Sequence, residues 1–141
     1  RDRDPAAREN LIVGSNYYYT IDNPENKKFV EAYKKKFKGV PPGYAGAAGY
    51  GLMKMTLLGM QKSGSTEPQK VITALEEHKG KNFVGDFEIR GRNHQTVRPF
   101  FVLQTKKKNE MKNQYDMAEV VDVSSTEQPK NINMCKDIGS F

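Results

Sequence analysis

Hydrophobic and polar positions alternate with three different rhythms along this chain. From Tyr44 to Ser63 the apolar residues Ala45, Ala47, Ala48, Leu52, Met53, Met55, Leu57, Leu58 and Met60 go round the whole helical circle. That pattern predicts a helix buried on nearly every side, with a sheet against one face and other elements on the rest. Gly46, Ala47, Ala48 and Gly49 at its start allow another backbone to come close, and Gly49 and Gly59 in its interior ask for a packing reason. Ahead of it, Phe29, Tyr33 and Phe37 recur every fourth residue beside Val30, and lysines fill the other side. This predicts an amphipathic helix, capped by Asn23, begun by Pro24, helped by Glu25 in its first turn and stopped near Gly39 before Pro41 and Pro42.

The shorter rhythms predict strands. Leu11-Ile12-Val13 is a brief apolar run ending at Gly14, the mark of a buried strand. In the Ser15–Ile21 segment that follows, strand alternation sends Tyr18 to one face and Tyr17 and Tyr19 to the other. Thr66 with Gln69 has capping-box spacing and opens a third helix with Val71, Ile72 and Leu75 on its apolar face, closed by Gly80. Phe83–Arg90 alternates as a half-exposed strand, 91–94 reads as a turn, and Val97–Thr105 is a strand whose Pro99 marks an edge or a start. Met117–Val123 is its expected antiparallel partner. Residues 1–9 read as an exposed lead-in and 124–141 as an extended tail. No internal repeat is visible.

Composition narrows the class. The 141 residues suit one domain, and 36% hydrophobic content with a mean hydropathy of −0.78 is polar for a globular one. A fragment of a larger protein, or a small core with polar tails, has this balance. No run approaches the ~18 uncharged apolar residues of a membrane span, and no basic start with an apolar core reads as a signal peptide. The sequence opens RDRDPAAREN with no initiator Met, which predicts a processed or excised chain. Net charge is +6, with lysines at 27, 28, 34, 35, 36 and 38 and again at 106–108. Such clusters fit a nucleic acid or anionic surface, or simply a solvated helix face and loop. They lack the interleaved aromatics of a stacking platform.

Catalytic chemistry is thin. Cys135 stands alone, so no disulfide or thiolate metal site can form within the chain. His78 and His94 lack carboxylates at ligand spacing and read as a helix-end and a turn histidine. GYAGAAGYG does not follow a strand in dinucleotide-loop spacing, and no phosphate loop, nucleophile elbow or zinc-protease motif occurs. The enzyme hypothesis therefore has little behind it, and neither a metal nor a cofactor is expected.

Four segments carry a resemblance. The run from Tyr18 to Tyr33, YYTIDNPENKKFVEAY, then PPGYAGAAGY, KSGSTEPQKVITALE and NHQTVRPFFVLQ are similar, in that order, to successive segments of the branched-chain amino-acid type solute-binding proteins of ABC importers. The likeness covers roughly residues 9–123 and lies in the ordered set rather than in one diagnostic motif. It implies an α/β fold: part of the C-terminal lobe of a type I periplasmic binding protein, a three-layer α/β sandwich with a mostly parallel sheet, plus a hinge-crossing β pair. Residues 1–96 would form part of that ligand-binding lobe, 97–123 the crossing strands, and 124–141 the tail. The N-terminal lobe would be missing from this chain.

The resemblance also implies a role and a site. The role is capture, in the periplasm, of an amino acid, an amide or an aromatic acid between two lobes, followed by docking on an ABC permease. The matching positions for ligand contact are Tyr17, Tyr18 and Tyr19 in the loop after the first strand, and Tyr44 and Ala45 at the start of the central helix. From the residues alone, the three tyrosines read equally as strand aromatics packing on neighbours. Ala45, where some relatives carry a large aromatic, would enlarge the pocket, and Tyr50 reads as core. Two other classes stay open: a ligand-sensing receptor domain of the same fold and a small basic nucleic-acid-binding domain. Apolar surface left without its lobe, expected around Phe100, Phe101, Leu103 and the Tyr17–Tyr19 loop, would favour homo-oligomers.

Overall fold

The structure is a computed structural model that describes residues 8–91 and 93–125. Helix α1 spans Pro24–Lys36, α2 Tyr44–Ser63 and α3 Pro68–Leu75. Six strands accompany them: β1 (Ile12–Ser15), β2 (Lys79–Asn82), β3 (Gly85–Ile89), β4 (Thr96–Val97), β5 (Pro99–Thr105) and β6 (Ala118–Ser125). They form two three-stranded sheets, ordered β1-β5-β6 and β2-β3-β4. The chain is thus mixed α/β.

Its helix boundaries follow local chemistry. The Asn23 side chain accepts from the backbone N–H groups of Glu25 and Asn26 at 2.8 and 3.2 Å, and Pro24 occupies the first turn, where its missing N–H has no helical partner. Lys34, Lys35 and Lys36 sit in the last turn of α1, where the helix dipole favours cations. α2 ends at Gly64 with φ 62°, a left-handed conformation open to glycine. α3 departs from expectation. Its N-cap is Glu67, with no side-chain cap bond, so Thr66 lies one position too early for a capping box. It also ends at Leu75, and Gly80 belongs instead to β2, where a Cβ would stand 3.2 Å from the Phe87 ring.

Every strand pair among the described residues is antiparallel. The mostly parallel sheet implied by the family lobe is not formed within them. Parallel neighbours need a crossover that returns to the same sheet, whereas the α1–α2–α3 segment leaves β1 and delivers the chain to the other sheet. β5 and β6 pair as the alternation predicts, Thr105 with Ala118 through Pro99 with Ser125, with an irregularity at Val102/Leu103. β5 is the central strand, so Pro99 marks its start rather than an edge. β1 is an edge strand, as is β6, and Leu11, Ile12 and Val13, expected to be buried, are exposed.

The core gathers Tyr17, Ile21, Phe29, Val30, Ala47, Phe83, Val84, Phe101, Leu103 and Ala118. Phe29 is its hub. Its ring stacks on Tyr50 at 4.2 Å and meets Phe83 at 5.3 Å and Tyr17 at 6.3 Å. Each such aromatic pair adds about 0.5–1.5 kcal/mol beyond its area burial. Phe101, Leu103 and Tyr17, where exposed apolar surface was expected, are inside this core. Exposed apolar side chains lie instead on β1, on β6 (Val121 and Val123) and on α2, which is not buried all round. Only Ala47 and Gly59 are buried, while Leu52, Met53 and Leu57 are 72%, 60% and 56% exposed.

Candidate functional site

A cleft of about 440 Å³ opens between the first half of α2, the loop after β1 and the β2–β3 hairpin. α2 contributes Tyr44, Ala47, Ala48, Gly51, Leu52 and Met55. Their i, i+3, i+4 spacing lays them along one side of the helix. Asn16 and Tyr17 come from the loop after β1; Asn82, Phe83 and Val84 from the hairpin; Thr96 and Arg98 from β4 and the link to β5. Among the described residues Arg98 is the only charged side chain in the lining, which also holds the phenols of Tyr17 and Tyr44 and the ring of Phe83. The α2 N-terminus lies at the same place, with Gly43 as N-cap and no side-chain cap bond.

The loop that carries Tyr17 is fixed from two sides. The Tyr17 hydroxyl donates to Asn26 Oδ1 at 2.9 Å, and Asn26 Nδ2 donates to the carbonyls of Tyr19 and Ile21. Burial pushes the Tyr17 phenol well above its usual range, so it stays neutral. On the other side, the Tyr18 hydroxyl donates to the Tyr115 carbonyl at 3.2 Å and accepts from the Ala118 N–H at 3.1 Å. Tyr19 packs against Tyr18 with ring centroids 5.0 Å apart, and Lys34 Nζ lies over the Tyr19 ring at 5.6 Å. Burial raises both phenols' pKa values.

The cleft therefore brings Tyr17 and Tyr44 together. Tyr18 and Tyr19 point to α1 and the β5–β6 loop, and Ala45 is exposed on α2 outside the lining. The alternation expected for the three tyrosines does not occur, because β1 ends at Ser15 and a turn follows: Tyr18 and Tyr19 pack on each other and Tyr17 goes alone into the core. Arg98 and the hairpin residues escaped the sequence reading. The signal for Arg98 was present, an arginine immediately before the proline that starts a strand, but only the hairpin fold shows which side chains it joins.

The histidines sit elsewhere. His94, in the β3–β4 turn, places Nε2 2.9 Å from Oε1 of Glu76 at the end of α3, and Lys62 Nζ lies 2.7 Å from His78 Nδ1. Partial burial, and then the Lys62 charge, lower the His78 pKa. Among the described residues no helix is long and apolar enough to cross a membrane.

The sequence profile of the family described as "Periplasmic binding protein" matches residues 3–110. No curated protein sequence matches the chain. Among solved structures, an amino acid ABC transporter substrate-binding protein from Pseudomonas fluorescens superposes with a TM-score of 0.84 at 25% identity, covering 94% of this chain and 35% of that one. A leucine-, isoleucine-, valine-, threonine- and alanine-binding protein from Brucella ovis gives 0.72 at 21% identity, covering 88% and 34%. An ABC transporter solute-binding protein from Rhodopseudomonas palustris in complex with 3,4-dihydroxybenzoic acid gives 0.73 at 20%, covering 89% and 33%. The present chain thus spans about a third of the length of each of these structures. The helices and two antiparallel sheets match a fragment of the type I periplasmic binding protein fold, and the chain belongs to the periplasmic binding protein family.

Proposed function

We propose that this chain forms part of the solute-binding component of an ABC importer, acting in the periplasm by binding and not by catalysis. The observation that carries the reading is the cleft at the start of α2, whose aromatic and apolar walls include, among the described residues, one charged side chain, Arg98. A small carboxylate with an apolar body, an amino acid or an aromatic acid, suits that lining: guanidinium for the carboxylate, Tyr17, Tyr44 and Phe83 for the body. In this reading Tyr18 and Tyr19 hold the Tyr17 loop in place, and Ala45 borders the cleft mouth. The β5–β6 ribbon, 97–123, serves as hinge crossing beside the ligand-binding portion, 1–96, and the ligand is closed in by a second lobe before delivery to a permease.

Half a clamp binds weakly. Isothermal titration and amide chemical-shift mapping with leucine and with 4-hydroxybenzoate test this. Expected are dissociation constants near the millimolar level, about −4 kcal/mol. Shifts at Tyr17, Tyr44, Ala48 and Asn82 should be lost in Arg98→Ala. Tight one-to-one binding by this chain alone, or shifts confined to another surface, would sink the proposal.

A further inference from the structure

Among the described residues, α1 gives no side chain to the lining of the cleft. Its start is nevertheless tied to each of the three elements around that cleft. On the loop side, Asn26 holds the Tyr17 hydroxyl and the carbonyls of Tyr19 and Ile21. On the α2 side, Glu25 pairs with Lys54. On the hairpin side, Asn23 Nδ2 donates to the Asn82 carbonyl at 3.0 Å, across 59 positions of sequence. The other end of the same Asn23 amide is already engaged, since Oδ1 caps α1 through the N–H groups of Glu25 and Asn26.

The double use explains the residue type. Asn, Asp and Ser are about equally good N-caps. An ionised Asp has no hydrogen to give, and a Ser hydroxyl is one bond shorter than the amide that reaches Asn82. An asparagine caps with its oxygen and still donates with its nitrogen. The carbonyl it reaches belongs to the turn that presents Asn82, Phe83 and Val84 to the cleft. That turn is closed on itself by the Val84 N–H, which donates to Asn82 Oδ1 at 2.9 Å, and its Phe83 ring meets Tyr17 at 5.8 Å.

We infer that Asn23 is a positioning residue for the cleft: it fixes the hairpin wall to the same helix start that fixes the Tyr17 loop, and so sets the spacing between them. Its consequence for binding rests on the ligand reading of the cleft; the joint itself rests on the hydrogen bonds. Walls held in place before the ligand arrives need no ordering when it binds.

The test compares the full 141-residue chain with Asn23→Ser and Asn23→Ala, by amide hydrogen exchange and by chemical-shift titration with 4-hydroxybenzoate. Asn23→Ser keeps the cap and loses the tie. Its Val84 amide should exchange about fivefold faster, the effect of one lost hydrogen bond on local opening. Its Lys27 amide, which donates to the Asn23 carbonyl at the start of α1, should keep the parent rate. Asn23→Ala loses the cap as well and should speed both amides. In the titration, read at Tyr17 and Tyr44, Asn23→Ser should weaken 4-hydroxybenzoate by about three- to tenfold. A parent-like Val84 rate in Asn23→Ser would make Asn23 a helix cap and nothing more. Equal acceleration of Val84 and Lys27 in that variant would make it a residue of general stability. Either result overturns the inference, as does unchanged affinity beside a faster Val84. A parent chain that shows no cleft shifts with 4-hydroxybenzoate or leucine rejects the ligand reading and the binding role of Asn23 with it, while the exchange rates still decide the joint.

Discussion

The Tyr17 hydroxyl donates to Asn26 Oδ1 at 2.9 Å, and Asn26 has no exposed surface at all. The same amide caps the carbonyls of Tyr19 and Ile21, so one side chain satisfies three groups of the loop that walls the cleft. Removing it takes the partner from the buried Tyr17 hydroxyl and from the partly buried Tyr19 carbonyl, while the Ile21 carbonyl keeps the Asn23 N–H at 2.9 Å. Asn26→Ala should cost about 2–4 kcal/mol, since each orphaned buried group costs about 1–3 kcal/mol and the loop relaxes in part. Tyr17→Phe, which removes one donor, should cost about 1 kcal/mol. Urea denaturation of both variants ranks them, and equal losses would argue against the shared role of Asn26.

The β5–β6 loop depends on pH through Asp116. Its carboxylate accepts from Lys106 Nζ at 2.8 Å and from the Lys112 N–H at 3.0 Å, and these bonds, Lys106 first, hold its pKa below the usual carboxylate value. A carboxylate with a lowered folded-state pKa stabilises the fold above its unfolded value, about 3.9, and loses that contribution as pH falls through the folded value. Lys106, raised chiefly by the same bond, keeps its contribution up to about pH 10 and loses it only in stronger alkali. Asp116→Asn should therefore destabilise the chain by about 1–3 kcal/mol at pH 7. The gap between variant and parent should close progressively below about pH 4. Parallel urea melts from pH 2.5 to 7 give the curve, and a gap that is constant with pH would refute the assignment.

Two glycines of α2 should respond in opposite directions to alanine. A Cβ on Gly59 would lie 2.7 Å from Val71 Cγ1 and 3.0 Å from the Leu75 side chain, at the contact with α3. Gly59→Ala should cost about 1–3 kcal/mol through overpacking. Gly49 has nothing within 4 Å, so Gly49→Ala should stabilise this chain by about 0.5–1 kcal/mol through helix propensity alone. Thermal midpoints measured side by side decide it, and a shift of the same sign at both positions would contradict the packing described for α3.

The sequence made the helices legible because their ends are set locally. Asn23, Pro24 and Gly64 act within one turn of themselves, and α1 and α2 lie where those residues put them. The β5–β6 pairing was legible from alternation, and β2 was missed because KGKN carries no apolar signal and pairs through its backbone. The direction in which α2 is covered was not legible. An apolar pattern reports that a face requires cover, and it is silent on whether the cover lies within the same 141 residues. The site was half legible for the same reason. Tyr17 and Tyr44 precede or open elements and could be picked out, but Phe83 and Arg98 join them only once the hairpin has folded over α2.

Among the described residues β1 finds its only partner in β5, Ile12 opposite Gln104 and Ser15 opposite Phe101. That sheet cannot assemble until residues from nearly opposite ends of the described chain meet, whereas α1 to α3 and the β2–β3 hairpin need only near neighbours. Closing so long a loop sets a high entropic barrier before any strand contact rewards it. Refolding should then proceed in two tempos, helices and hairpin early, with zipping of β1 onto β5 as the slow and final event.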